Sequence, residues 1–274
     1  MSARISAVVV LACLALPPNA FAHEGLHEQI AEATRLIDAS PRDATLYLKR
    51  ADLQRLHGVP ELALLDVDRA AALDTNADGI DFVRGKTLLD LGKPQDAAAA
   101  LTRHLTRRPD DAEALFARAT ARTRFGSFAS ADADFAGAIA KLAQPKPEHY
   151  AAHARAVAAM GGEHVARALA ILDAGQTRLG VNAALEVPAI DYEIALSRWS
   201  NALARIDALA SQSERKEYWL SRRGDVLKLA GRSSEAREAW NSALLAIDKL
   251  PHKPRHTRAV LDLEDALRTK LRGE

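Results

Sequence analysis

Apolar residues along this chain recur at helical rather than strand spacing, and the helical pattern itself repeats. In the stretch 44–77, Tyr47, Ala51 and Leu53 mark the inward stripe of one helix, and Ala63, Val67, Ala70 and Leu73 mark a second. Between them Gly58 supplies the positive φ of a helix C-cap, and Pro60 opens the second helix, where its missing N–H would be unpaired in any case. Shifted by 34 residues, the marks return as Gly85, Leu88, Gly92, Pro94, Ala97 and Leu101, and after a further 34 as Ala119, Gly126, Phe128, Ala131, Phe135 and Ala138. The beat recurs at Gly231 and Ala236. A fixed stride of this length predicts one helix-turn-helix unit copied along the chain, each copy burying its apolar face against its neighbours.

The eighth position of the unit is occupied by Ala51, Gly85, Ala119, Ala154 and Gly224. A large side chain there would overpack a close helix crossing, at a cost of about 1–3 kcal/mol. Units are expected at 44–77, 78–111, 112–146, 147–182, 183–216 and 217–250. The fourth and fifth are the least regular: Gly161, Gly162, Ala166 and Ala168 permit two registers, Ser197 stands where the turn glycine is expected, and Ile190 replaces the small residue. Leu26 to Ala39, ending before Pro41, reads as the second helix of a partial leading unit. Residues 255–271 read as a closing helix, with Val260, Leu263 and Leu267 opposed to Arg258, Glu264, Asp265, Arg268 and Lys270.

A small residue at position eight, glycine near fifteen, alanine at twenty and twenty-seven, and proline near thirty-two together resemble the tetratricopeptide-repeat (TPR) family. The resemblance implies an all-α fold: a right-handed α-solenoid of antiparallel helix pairs, with about six TPR-like units plus capping helices in a single domain over 23–274. It further implies that the fifth, ninth and twelfth positions line a concave groove for a protein or peptide partner. In this sequence those positions supply Asp52 and Arg55, Phe82 and Lys86, Phe116 and Thr120, Arg155, Asp191, and Asp225 and Lys228, with Arg124 adjoining. Such grooves hold an extended peptide or amphipathic helix through side-chain pockets and rim charges. The family's carboxylate-gripping subset uses asparagine and lysine; here no asparagine occupies a ninth position and Lys86 stands alone, so that specificity does not carry over.

Arginine recurs at position seven, as Arg50, Arg84, Arg118 and Arg223. A guanidinium near a packed layer needs partners to offset its desolvation. Asp66 and Asp134, both at position twenty-three, are the expected partners of Arg50 and Arg118, in a structural tie between the two helices of a unit.

The first 22 residues read as an export signal. Arg4 precedes an apolar run from Ile5 to Leu16, then come Pro17 and Pro18, and Ala20-Phe21-Ala22 forms an A-x-A cleavage site. The run is shorter than the roughly 20 residues needed to span a bilayer, and Leu11 fits poorly with a lipoprotein signal ending at Cys13. Cleavage after Ala22 places the protein in the periplasm or outside the cell. It also removes the only cysteine, and with it any disulfide or thiolate site. Lys and Arg total 37 against 36 Asp and Glu, and loss of Arg4 leaves them equal. A neutral chain of this kind is no nucleic-acid binder, because that affinity rests on excess Lys and Arg. The expectation is a monomer or weak oligomer with no cofactor.

No catalytic constellation emerges: the G-x-S-x-G elbow and the full phosphate cradle G-x-x-x-x-G-K-[ST] are both absent, and no enzyme is expected. Asp110 and Asp111 precede a predicted helix and suit capping. Trp240, at position twenty-four, suits the core. Histidines offer the one alternative to a peptide-binding scaffold. Processing would leave His23 with a free amine and His27 four residues on, a set able to hold copper. His149 and His153 share a helix face but lack an evident third ligand, and Pro254 separates His252 from His256.

Overall fold

The computed structural model describes residues 18–273, with side chains from residue 25 onward. Residues 1–17, which hold most of the export signal and Cys13, lie outside the described residues. The described residues form fifteen helices and no strand, and the chain divides after Pro109 into two compact units.

The first unit contains α1 (Pro18–Ala39), α2 (Ala44–Leu56), α3 (Pro60–Leu73), α4 (Ile80–Asp90) and α5 (Pro94–Arg107). Each helix packs on the next in antiparallel pairs, α2 with α3 and α4 with α5 most extensively. Asp43 caps α2 by accepting the Thr45 N–H at 2.9 Å, and Pro60 and Pro94 open α3 and α5. The core joins Ile37 of α1 to Tyr47, Leu48, Ala51, Ala63, Val67, Ala70 and Ile80.

The second unit runs through α6 (Ala112–Arg124), α7 (Phe128–Lys141), α8 (Pro147–Ala158), α9 (His164–Leu179), α10 (Ala183–Ala195), α11 (Trp199–Gln212), α12 (Glu217–Leu229) and α13 (Ser233–Asp248). It closes with the short α14 (His252–Arg255) and with α15 (Arg258–Arg272). Asp111 caps α6 through the Ala114 N–H, while Asp110 pairs with Lys141. Its largest core cluster runs from Ile190 and Ile206 through Trp240 and Ile247 to Val260 and Leu267, so the apolar stripe of α15 does cover the last helix pair.

One turn connects the helices of five pairs. The last turn of the first helix closes with an N–H bond reaching back five residues, Val59 to Gln54, Lys93 to Leu88, Ser127 to Arg122, Arg198 to Glu193 and Arg232 to Leu227, at 2.8–3.0 Å. This is the Schellman arrangement, which demands a left-handed residue just past the helix. Glycine fills that place in four pairs, and Ser197 fills it in the fifth with φ of 56°, the only non-glycine with positive φ among the described residues. The fourth pair has a longer connection through Gly161 and Gly162, and it is Ala168, not Ala166, that is fully buried there. Relative to the other pairs, the second helix of this one enters two residues late.

The recurring arginines tie helices together. Arg50 meets Asp66 with both Nε and Nη2 at 2.7 Å, and Arg118 meets Asp134 in the same forked manner at 2.8 and 2.7 Å. Both expected pairs therefore form, and each joins the two helices of one repeat through a bidentate contact of the stronger kind. Arg84 and Arg223 reach the other way, to Asp68 and Asp207 of the preceding repeat, at 2.6 and 3.0 Å. One sequence position thus ties helices within a repeat or between repeats, according to where an aspartate stands.

Candidate functional site

The first helices of the pairs carry the residues expected to meet a partner. In the first unit the charges at those positions are brought together. Asp52 accepts from Arg55 at 3.0 Å and lies 3.5 Å from Lys86, while Arg55 also reaches Asp90 at 3.1 Å. Lys86 sits over the Phe82 ring at 4.9 Å, and Phe82 also packs on His104 of α5, with ring centroids 5.3 Å apart. Positive and negative groups alternate along this face, which leaves it little net field.

In the second unit the same positions diverge. Phe116 is half-buried, wedged edge-on against Phe135 and His149, and Thr120 donates back to the Phe116 carbonyl at 2.9 Å. Both contribute to packing among α6, α7 and α8. Arg124 and Arg155 are exposed. Arg155 lies near Tyr192, whose phenol is pushed up by burial, pulled back by Arg155 and raised by Asp191. Asp191 itself is paired with Arg222.

Asp225 and Lys228 of α12 line an open pocket of about 500 Å³ shared with Leu229, Ser233, Arg237, Trp240, Lys270 and Gly273. The Trp240 ring is 5% exposed. It is held there because its Nε1–H donates to Asp225 Oδ1 at 3.0 Å, and Lys270 Nζ meets the same oxygen at 2.6 Å. Leu229 stands 61% exposed at the edge. The pocket therefore offers an aromatic floor and an apolar rim, with three cations against one already engaged carboxylate among the described residues.

Histidines were the metal candidates. His149 accepts the Lys146 N–H through Nδ1 and so caps α8, and burial pushes its imidazole below the ordinary value. His153 lies 2.7 Å from Asp132. Burial pushes it down too, outweighing the adjacent carboxylate, and because that carboxylate only accepts, the neutral ring donates its Nε2–H. Asp132 is itself disfavoured by burial, yet hydrogen bonds from His153 and Arg167 hold its carboxyl below the usual range. The two imidazoles thus serve separate structural contacts. Among the described residues, no group of three or more His, Cys, Asp or Glu is poised for a metal ion. His27 does meet another imidazole, that of His57, with Nε2 atoms 3.0 Å apart. Sequence reasoning missed His57, together with the His-Glu-x-x-His spacing of residues 23–27.

It also missed a charge network around Arg205 on α11. This guanidinium reaches Asp173 at 2.6 Å, Glu186 at 3.1 Å and Glu193 at 3.4 Å, so one cation joins α9, α10 and α11. Glu186 and Glu193 are almost fully buried. Burial works against the charge of Arg205, and its hydrogen bonds to Asp173 and Glu186 more than offset this, raising its pKa.

No family model matches the sequence, and no curated protein does either. Solved structures match along most of the chain. A repeat protein from Cytophaga hutchinsonii superposes with a TM-score of 0.66 at 14% identity, over 89% of this chain and 96% of that one. The fold is the tetratricopeptide-repeat fold. Among other TPR-fold neighbours, PilW, described as a type IV pilus biogenesis factor, gives 0.61 at 20% identity over 74% of this chain and 94% of its own. PilF of Pseudomonas aeruginosa gives 0.56 at 14% identity over 83% of this chain and all (100%) of its own. No helix among the described residues is long and apolar enough to cross a membrane.

Proposed function

We propose that this chain is an exported, non-enzymatic scaffold of the cell envelope that binds a segment of another protein on the first-helix faces of its repeats. The observation that carries this reading is the pocket on α12 and α13. Asp225 and Lys228, which the family resemblance expects on a binding face, border a concavity with an aromatic floor. Its chemistry suits a segment with an apolar anchor flanked by acids: the anchor lies against Leu229 and Trp240, and the acids meet Lys228 and Arg237. Export is supported by the apolar run and A-x-A site ahead of His23. The description of PilW as a biogenesis factor supports a role in envelope assembly by analogy of fold alone.

Fluorescence-anisotropy titration with labelled peptides carrying an apolar anchor between acidic residues tests the reading. Binding at micromolar concentration is expected, weakened at least tenfold by Lys228→Glu combined with Arg237→Glu. Equal affinity for a peptide with basic flanks, or no loss in the double variant, would overturn it.

A further inference from the structure

We infer that His27 and His57 form a binding site for one divalent transition-metal ion, holding α1 against the end of α2. His27 projects from α1, and His57 is the C-cap residue of α2. Their Nε2 atoms are 3.0 Å apart and their ring centroids 4.2 Å apart, with planes inclined at 64°.

Two imidazoles joined tip to tip by a straight N–H···N bond would hold their centroids about 5 Å apart, given the near-linear geometry such bonds prefer. The shorter separation means that the rings are bent away from a straight N–H···N bond. A shared ion requires both nitrogens to turn toward one point, a rotation of the two rings about their side-chain torsions. With metal–nitrogen bonds of about 2.0–2.1 Å, nitrogens at this spacing subtend an angle of about 95° at the ion, the cis angle of a square-planar or tetragonal centre. Imidazole donors in that geometry favour Cu(II) or Ni(II). Tetrahedral Zn(II) would need the nitrogens to part by about 0.3–0.4 Å.

His27 is exposed and His57 partly exposed, so an ion can reach the pair from solution and water can complete its shell. One helical turn before His27, the backbone of α1 carries His23, the nearest further imidazole in sequence. The site is distinct from copper capture by a processed amino terminus because it needs neither a free amine nor cleavage. It is also independent of the proposed peptide pocket.

Isothermal titration of the full, unprocessed chain with Cu(II) and, separately, Ni(II) and Zn(II) tests the inference. One equivalent of Cu(II) should bind at micromolar concentration, more tightly than Zn(II), with nitrogen hyperfine structure in its electron paramagnetic resonance spectrum. His57→Gln and His27→Gln should each weaken binding at least tenfold and abolish the rise in melting temperature that Cu(II) produces. Melting of the metal-free variants at the wild-type temperature will show that the fold is kept. Binding that survives His57→Gln undiminished would assign the metal to the 23–27 segment alone and overturn the site, as would absence of binding by the wild-type chain.

Discussion

Replacing Gly224 by alanine should destabilise the second unit even though the change removes a glycine from the middle of a helix. Helix propensity alone favours alanine by about 0.8–1.0 kcal/mol. The new Cβ would stand 2.3 Å from Trp240 Cδ1 and 2.4 Å from its Nε1, inside any permissible contact, and the indole has no easy retreat. It is 5% exposed, packed in the core, and fixed by its hydrogen bond to Asp225. Overpacking costs about 1–3 kcal/mol, and displacing the indole from the carboxylate forfeits a charge-assisted bond worth about 1.5–3 kcal/mol. Set against the propensity gain, these give a net loss of about 1.5–5 kcal/mol. Urea unfolding followed by tryptophan fluorescence and by helical circular dichroism will measure it. Gly137→Ala is the internal control: its Cβ meets only Leu115 Cδ1, at an ordinary 3.6 Å, so propensity wins and stability should rise by about 0.5–1 kcal/mol. Adding Trp240→Leu to Gly224→Ala should recover part of the loss. A Gly224→Ala protein as stable as wild type, or one gaining as Gly137→Ala does, would refute the close-crossing argument.

Ser197→Gly should raise the urea midpoint by the equivalent of about 1 kcal/mol, because an L-residue is held at φ of 56° in a turn where its four counterparts are glycine. Arg205→Met should cost about 3–5 kcal/mol by stranding Glu186 in the core without its cation and leaving Glu193 only the more distant Arg198; a loss below 1 kcal/mol in the same unfolding assay would show the network to be slack. Acidification should weaken the fold through His153, whose folded pKa lies below its ordinary value of 6.5. The unfolded chain then binds the proton first, so stability is full above about pH 6.5 and declines as pH falls toward the depressed value. Urea midpoints at pH 7.5 and 5.5 should differ more in wild type than in His153→Gln, with His149 adding a change of the same sign.

The repeat was legible because close packing writes it directly into residue size. A helix crossing that admits only a small residue opposite a large side chain sixteen residues on leaves Gly85 with Leu101 and Gly224 with Trp240, and the fifth unit, where Ile190 is buried in that place, is the exception. The turn was legible for the same reason, since a left-handed residue selects glycine. Ser197 shows that spacing identifies the turn even where composition does not. The Arg50–Asp66 and Arg118–Asp134 ties could be read as well, because both partners keep fixed positions in the unit. Arg84 and Arg223 could not, since their aspartates lie in the repeat before, and neither could Arg205, whose acids come from two other helices with no common register.

Candidate binding residues were legible as positions but not as chemistry, and the reason is electrostatic. Asp52, Arg55 and Lys86 read singly as three charges open to a ligand, yet in the fold they are paired with one another and with Asp90, and a partner must displace those contacts to use any of them. Near Trp240 the balance differs. Asp225 is engaged by the indole and by Lys270, which leaves Lys228 and Arg237 to set the sign of the rim. Charge reversal on the first-unit face should therefore disturb stability more than binding, whereas reversal at Lys228 and Arg237 should do the opposite. If the proposed reading holds, the face that discriminates partners is the one whose charges the protein has not already spent on itself.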